Sequence, residues 1–290
     1  MPGMDGLQDP LLAPDALKGV RIAISVSESP DLFRLGLVET HFRLALAEIA
    51  RSVLVGGGKL VYGGHLDPDG YTVMLLHELQ RYSRRDRPLL ICLAWQEHRK
   101  LSQDEFNGHK RDLGLFGEII CLDPHGRPIN WNTGRGVDPE PVGDDQVRQT
   151  SLTSLRRYMT ANTNGRVLIG GRRSGFQGRY PGLLEEAIIS VEHDQPLYLA
   201  GGFGGVTSDI IAALGIDNME WLPTRPDAPQ PDDRLTVGLE QLSKIITGSK
   251  WKGLNNGLTG EENRLLAATH RPTEIAALVA LGLGRRFAHK

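Results

Sequence analysis

Apolar runs alternate with amphipathic stretches along the first half of the chain. Residues 21–26 and 89–95 are mostly apolar runs, which are typical of strands that are covered on both faces of a sheet. Between them, apolar residues from Val38 to Val53 recur at helical spacing, and residues 59–62 predict a further strand. Strands that alternate with amphipathic helices are typical of a parallel sheet with helices on both faces. The pattern therefore predicts an α/β fold with a Rossmann-like, doubly wound, mostly parallel sheet.

The same pattern continues toward the C-terminus with one interruption. Further strands are predicted at 118–122, 167–169 and 196–199, and further helices at 71–82, 152–159, 181–191 and 207–214. Residues 96–145 are less periodic and predict an insertion or an oligomer contact. A proline-rich connector follows Asn218, and helices are predicted at 235–246, 260–269 and 273–281. We therefore divide the chain into a flexible N-terminus (1–18), a Rossmann-like domain (19–222) and a connector with a C-terminal helical extension (223–290).

Candidate chemistry is concentrated in residues 167–191, where an apolar strand leads into a glycine- and arginine-rich loop and then a helix. Gly170 and Gly171 allow backbone conformations and a close ligand approach that a Cβ would forbid. Pro181 suits a helix start, and the free amides there, beside Gly182, attract negative charge. The loop also carries three permanently charged side chains: Arg172, Arg173 and Arg179. These features predict an anion-binding loop.

Two adjacent glutamates, Glu185 and Glu186, follow inside the predicted helix. A ligand that combines phosphate and sugar needs donors for the phosphate and a carboxylate for the ribose hydroxyls or for an acid/base step. The alternative interpretation is a glycine-rich surface turn, with arginines in water and glutamates that complement the helix dipole. A local motif does not by itself separate these two interpretations.

Three predicted strands end in glycine-bearing loops, and a fourth ends at a serine. The carboxyl ends of parallel strands meet at one edge of a sheet, where ligands of such folds bind. We therefore expect one crevice at this edge, with His65 facing the ligand or serving a structural turn and Phe203 able to stack on a base. Besides the arginine loop, its expected lining residues are Ser27, Gly63, Gly64, His65, Gly202, Phe203 and Gly204.

Length and charge narrow the classes of function. The 290 residues suffice for one large α/β domain with an appendage, and the formal net charge of −2 supplies no general field for nucleic acid. The start of the chain lacks the basic and apolar segments of a secretion signal, and no run is long enough to span a membrane. These features predict a cytoplasmic protein that binds a small anion rather than a membrane or DNA.

The positions of the cysteines and histidines do not indicate a metal-binding site. Cys92 and Cys121 lie in apolar, strand-like runs, where a small buried thiol is the usual occupant. The nine histidines do not show the spacing of transition-metal sites. We therefore predict no metal site and no cofactor.

The chain resembles the SLOG superfamily, which joins the lonely-guy phosphoribohydrolases, the DNA-processing protein DprA and related nucleotide-sensing domains. The resemblance rests on the first strand with its serine-rich loop, on the strand end at residues 60–64, and on the later strand, glycine loop and Glu185-Glu186 helix. It spans residues 21–214 and leaves the C-terminal helices outside. It implies a Rossmann-like nucleotide-binding domain.

The resemblance also implies roles for individual residues. The phosphoribohydrolases carry a proline-two-glycine, glycine-threonine, two-glutamate motif after a helix with a functional arginine, and Arg156 and Arg157 occupy the comparable place here. If the chain is an enzyme, the resemblance makes Glu185 or Glu186 the active carboxylate and Arg157 the residue that orients the phosphate. The middle of the motif departs from the family, because it is longer, carries three arginines and lacks the glycine-threonine step.

Because of that departure, our first hypothesis is binding rather than cleavage. The ligand would be an ADP-ribose-like, cyclic ADP-ribose-like or NAD-related molecule, and the resemblance implies a sensor in bacterial signalling or immunity. The alternative is a hydrolase of the nucleotide N-glycosidic bond. A DprA-like DNA-binding role rests on the fold alone and conflicts with the charge balance. We further expect a homo-oligomer, either dimer or tetramer, and an effector partner that the sequence does not identify.

Overall fold

The computed structural model describes residues 12–67, 69–81, 86–134, 138–223, 232–248 and 251–288. Within these residues, seven strands form one sheet in the order β5-β4-β3-β2-β1-β6-β7. All neighbouring pairs are parallel except β4 and β5. The strands are β1 (Arg21–Ser27), β2 (Lys59–Gly63), β3 (Leu89–Leu93), β4 (Gly117–Leu122), β5 (Pro128–Ile129), β6 (Gly165–Gly170) and β7 (Leu197–Ala200).

Helices connect the strands and extend beyond the last one. Those that precede β6 are α1 (Glu39–Val55), α2 (Tyr71–Arg81), α3 (Trp95–Arg99), α4 (Gln103–Leu113), α5 (Trp131–Gly134) and α6 (Asp145–Ala161). Those that follow it are α7 (Gly182–Glu192), α8 (Val206–Ala213), α9 (Asp233–Thr247), α10 (Gly260–Ala268) and α11 (Pro272–Phe287). The predicted α/β, doubly wound, Rossmann-like fold with a C-terminal helical extension is confirmed.

The core lies on both faces of the sheet, because side chains that alternate along a strand point to opposite sides. In β6, Val167 and Ile169 pack in the cluster that includes α1 and α11, whereas Leu168 packs with α7, α8 and α9. Both β3 and β6 are buried along their whole length. This burial explains why parallel strands appear in the sequence as continuous apolar runs.

The order of the strands reverses between β1 and β6, which are neighbours although four strands separate them along the chain. Their register pairs Ser27 with Gly170, the last residue of each strand. In open α/β sheets, ligands bind outside the carboxyl ends of the strands at such a switch point. The topology therefore places the glycine and arginine loop that follows β6 at the expected ligand crevice.

The less periodic stretch 96–145 contains elements that the sequence analysis did not predict. The predicted strand at 89–95 ends at Leu93, and Trp95 already begins α3. Helix α4 begins at a capping box formed by Ser102 and Glu105, and Trp131 stacks on Phe106 at a centroid distance of 3.5 Å. The stretch thus completes one edge of the sheet with its own small cluster.

The two ends of the chain differ in what the structure describes. Residues 1–11 of the predicted flexible N-terminus, and 224–231 of the predicted connector, lie outside the described residues. Within the described part, Leu17 is fully buried in the core and α11 packs on α1. None of the helices that the structure describes combines the length and apolar character needed to cross a bilayer.

Candidate functional site

A cavity of about 650 Å³ opens at the carboxyl end of the sheet. It is bordered by the ends of β1 and β2, by α6, by the start of α7 and by the loop that follows β6. Eight of the predicted site residues line it: Ser27, Gly63, Gly64, His65, Arg156, Arg172, Gly182 and Glu186. Its volume falls within the range of about 300–1,000 Å³ that is usual for small-molecule sites.

Gly170 and Gly171 form the turn by which the chain leaves β6. Their φ angles of 74° and 110° lie in the left-handed region, which favours glycine. The backbone N–H of Gly171 donates to the Ser27 carbonyl at 3.0 Å, and that of Arg172 donates to Ser27 Oγ at 3.1 Å. The glycines thus allow the loop to fold closely over the end of β1. They shape the cavity wall without lining it.

Arg173 turns away from the cavity and binds two carboxylates. Its guanidinium donates to Asp31 Oδ2 at 2.7 Å and to both oxygens of Asp209 at 2.7 and 2.9 Å. It also donates to the carbonyl of Gly205 at 3.0 Å. Because Gly205 follows β7 and Asp209 lies on α8, these bonds fix the loop after β6 to the loop after β7. The structure gives it this structural position and not the predicted place in the crevice.

Asp31 is the buried centre of this ion-pair cluster, and its side chain is fully inaccessible. Burial raises the pKa of the carboxyl, but hydrogen bonds from Arg34, from the Gly205 N–H and from Arg173 outweigh burial and place the pKa below its ordinary value of 3.8. A carboxyl with a lowered folded-state pKa stabilises the fold above its unfolded-state pKa, and this stabilisation is lost as pH falls through the folded value.

We therefore expect the stability of the protein to fall below about pH 4, the ordinary range of an aspartate. The variant Asp31→Asn should be less stable at neutral pH and should lose less further stability on acidification. Urea unfolding at neutral pH and near pH 3 measures both quantities. Parallel stability losses of the two proteins on acidification would show that Asp31 does not carry this pH dependence.

The two glutamates of the motif are both engaged by arginines. Glu185 accepts hydrogen bonds from Arg156 and from Thr153 on α6. Glu186 Oε2 accepts from Arg166 Nη1 at 2.9 Å, and Glu186 Oε1 lies 3.8 Å from Arg156 Nε. Only Glu186 lines the cavity. The pair therefore presents one carboxylate to a ligand, and that carboxylate is already held by buried cations.

Arg166 was missed by the sequence analysis. It lies in β6, is fully buried, and points to the face of the sheet that carries α6 and α7. Burial lowers its pKa, and the neighbouring Glu186 opposes that shift without cancelling it. Besides Glu186, the guanidinium donates to Ser25, Thr160, Ser190 and Gln195. The signal in the sequence was a single charged residue at the start of an otherwise apolar run.

The loop that borders the cavity is also held by the C-terminal extension. The guanidinium of Arg234 lies over the ring of Phe176, 4.2 Å from its centroid, and donates to the carbonyl of Gly178 at 3.1 Å. Asp232 orients this arginine through hydrogen bonds of 2.9 and 2.6 Å. Both Phe176 and Gly178 line the cavity. The start of α9 therefore supports one wall of the site.

The third glycine loop, at residues 201–205, does not line the cavity. Phe203 is fully buried, and its ring meets that of Phe42 edge-on at 5.4 Å, so it is not placed to stack on a ligand. A Cβ on Gly204 would meet Asp31 Cβ at 2.6 Å, whereas Gly202 packs against the backbone of Thr269. Gly202, Phe203 and Gly204 therefore pack against other parts of the fold and do not line the predicted crevice.

Two predicted arginines lie on the surface. Arg157 is exposed on α6 and does not line the cavity. Arg179 is exposed as well, and its guanidinium lies over the ring of Tyr180 at 5.2 Å from the centroid. Of the three loop arginines, only Arg172 borders the cavity, where it pairs with Glu28 at 2.7 Å.

The cavity is lined by charged groups of both signs. Arg156 and Arg172 lie with the loop backbone and the start of α7, whose first amides have no intrahelical acceptor. Glu28, which pairs with Arg172, is one of five lining carboxylates that the sequence analysis did not single out. The others are Glu39, Asp67, Asp69 and Glu97. Arg43 and Tyr71 stand among them, with Tyr71 donating to Glu39 at 3.1 Å. The arrangement suits a ligand with an anionic part and a part rich in hydrogen-bond donors.

Within the described residues, no cluster of histidine, cysteine, aspartate or glutamate could hold a metal ion. The site is thus built from charged side chains, backbone amides and hydroxyl groups. With the switch-point crevice and the strand-end glycine loops, these features define a Rossmann-like nucleotide-binding domain.

Comparison with known proteins gives the family. The family model described as SLOG cluster2 matches residues 16–266, which is most of the chain, and the chain belongs to this family. The matched residues extend through α9 and into α10, beyond the span on which the sequence resemblance rests. No curated protein and no solved structure matches the chain.

Proposed function

We propose that the protein binds a nucleotide-derived small molecule of the ADP-ribose, cyclic ADP-ribose or NAD class in the cavity at the carboxyl end of the sheet. The observation that carries this proposal is that one cavity is lined by arginines and a helix start and also by several carboxylates. Phosphate binds to the former groups. Ribose hydroxyls and the amino groups of a base donate to carboxylates.

The pairing of the glutamates favours binding over cleavage. A carboxylate that stabilises a sugar cation or activates water needs oxygen lone pairs directed at the ligand. Glu185 is buried and accepts hydrogen bonds from Arg156 and Thr153, and one oxygen of Glu186 accepts a hydrogen bond from Arg166. On this ground a sensor role, in which ligand binding is the event that a partner reads, is the function we favour.

Calorimetric titration with ADP-ribose, cyclic ADP-ribose, NAD and AMP tests the proposal. We expect saturable binding of at least one of these ligands. Arg172→Ala should weaken it about tenfold, because the substitution removes a charge-assisted phosphate contact and leaves Glu28 unpaired at the cavity wall. Arg111→Ala is the matched control, since Arg111 is an exposed arginine on α4 outside the cavity.

The same samples decide between the two functions. Absence of heat with all four ligands, from protein with intact secondary structure, would contradict the proposal. An affinity that is equal in Arg172→Ala and in Arg111→Ala would place the ligand elsewhere. Ligand that is recovered intact after incubation supports a sensor.

N-glycosidic hydrolysis is the second candidate, and the position of Glu186 in the cavity wall favours it. Release of free base from AMP or NAD, detected by chromatography, would establish it. That activity should disappear in Glu186→Gln, while the circular dichroism spectrum stays unchanged.

A further inference from the structure

A second cavity lies at the opposite end of the sheet from the first. It has a volume of about 620 Å³ and is bordered by residues 251–258, the start of α10 and the end of α11. Its wall is joined to β7, because the Leu197 N–H donates to the Leu254 carbonyl at 3.1 Å and Asn256 Nδ2 donates to the Leu197 carbonyl at 2.7 Å. Leu197 is the first residue of β7. The cavity therefore lies at the amino end of the edge strand.

Among the residues that the structure describes, the charged side chains around this second cavity are all positive. Lys252, Arg264 and Arg286 line it, together with glycines, asparagines, aliphatic residues and Trp251. The first cavity, by contrast, is lined by six carboxylates and three arginines. The two cavities are similar in size but opposite in their balance of charge. The second cavity favours an anion, because no carboxylate among its described lining residues offsets its cations.

The three cations are not explained by ion pairs within the protein. Among the described residues, none of the three has a carboxylate within ion-pair distance. The neighbouring Arg285 differs, since it donates to Glu262 at 2.7 Å and to the Gly257 carbonyl at 3.2 Å. Glu262 is thereby occupied and does not neutralise the cavity.

Arg286 provides a second, independent indication of a ligand. Its Nε atom is buried and has no hydrogen-bond partner in the described part of the chain. Buried polar atoms of native proteins are nearly always hydrogen-bonded, and an ordered water or a bound ion is one explanation of an exception. Arg286 lines the cavity, so an anionic oxygen bound there would lie beside a guanidinium whose Nε–H is not used by the described part of the protein.

We propose that this second cavity binds a small molecule that carries phosphate groups, independently of the nucleotide-binding cavity. Arginine guanidinium groups donate two parallel hydrogen bonds to phosphate oxygens, and three positive charges in one concave surface match a multiply charged anion. The indole ring of Trp251 offers an apolar surface for the organic part of such a molecule. The surface is concave and bounded by a short loop, which favours a small ligand over a nucleic acid strand.

Inorganic pyrophosphate is the probe for the test, and Trp251 supplies the readout. In the full-length protein, the indole N–H signal of Trp251 is assigned by its absence in Trp251→Phe. We expect this signal to shift saturably during a pyrophosphate titration. The chain has four tryptophans, and the other three, which do not line this cavity, serve as internal references.

Two variants make the result specific. Replacing the two exposed cations of the three, in Lys252→Ala/Arg264→Ala, should weaken pyrophosphate binding at the Trp251 signal about tenfold or more, whereas Arg111→Ala should leave it unchanged. Both substituted side chains are exposed, so the double variant is expected to fold. Added sodium chloride should weaken binding because it screens the charges.

Three outcomes would overturn the proposal. The first is the absence of a saturable shift of the Trp251 signal. The second is an affinity that the double variant does not change. The third is a shift that single-stranded DNA or a polyglutamate peptide causes and pyrophosphate does not, which would identify the surface as a site for a macromolecule. None of these outcomes depends on nucleotide binding at the first cavity, which the Arg172→Ala titration measures separately.

Discussion

Replacing Arg166 with methionine should destabilise the protein by about 3–5 kcal/mol, the cost of leaving a buried charge without its partner. Arg166 is fully buried and holds Glu186 at 2.9 Å. It also donates to four neighbouring polar side chains, which would lose their donor in the variant. The free energy of unfolding from urea titration at neutral pH measures the effect.

Two further variants give this prediction its control. In Arg166→Met/Glu186→Gln both charges are removed, so the double variant should recover part of the loss. Arg127→Met breaks an ion pair with Asp123 in which the arginine side chain is 75% exposed, and it should cost no more than about 1 kcal/mol. Equal losses for Arg166→Met and Arg127→Met would contradict the stabilising role of the buried pair.

Replacing Gly170 with alanine should also destabilise the protein, by about 3 kcal/mol. The residue has a φ of 74°, and a Cβ there would lie 2.8 Å from Phe42 Cε2 and closer still to the Ser27 carbonyl oxygen. Backbone and core would both have to shift, and the loop after β6 would lose its place over β1. We expect Gly170→Ala to lose nucleotide affinity together with stability, as measured by urea unfolding and by calorimetry.

Gly175→Ala is the matched control, because it separates backbone strain from steric conflict. Gly175 has a φ of 70° in the same loop, but a Cβ there would meet nothing within 4 Å. Only the strain of the left-handed conformation remains, which costs about 1 kcal/mol. If both variants lost the same stability, the close packing of Gly170 against Ser27 and Phe42 would be irrelevant to the fold.

Most of the sheet could be predicted because its strands are buried on both faces. The predicted strand at 59–62 corresponds to Lys59–Gly63 in the structure, and the predicted stripe corresponds to the buried face of α1 from Phe42 to Val53, whereas Val38 precedes the helix and is exposed. Helix α4 was missed because only Phe106 and Leu113 are buried on it. Too few apolar positions remain on such a helix for its periodicity to be recognised.

The candidate site could be predicted only to the level of its segments. The sequence places Arg172, Arg173 and Arg179 in one loop, but an irregular loop has no periodicity that would tell which side chain faces a cavity. Arg173 is directed by Asp31 and Asp209, which lie far from it in the sequence and reach it only through the fold. The carboxylates around Glu39 belong to other segments, and only the topology brings them to the same cavity.

The contact between Arg234 and Phe176 has a thermodynamic consequence for the C-terminal extension. Binding free energies are linked reciprocally, so two events that share a structural element change each other by the same amount. If docking of α9 contributes to ligand affinity by fixing Phe176 and the Gly178 carbonyl, a bound ligand must strengthen the docking of α9 by an equal free energy. Under that condition, occupancy of the cavity would be detectable as tighter docking of α9.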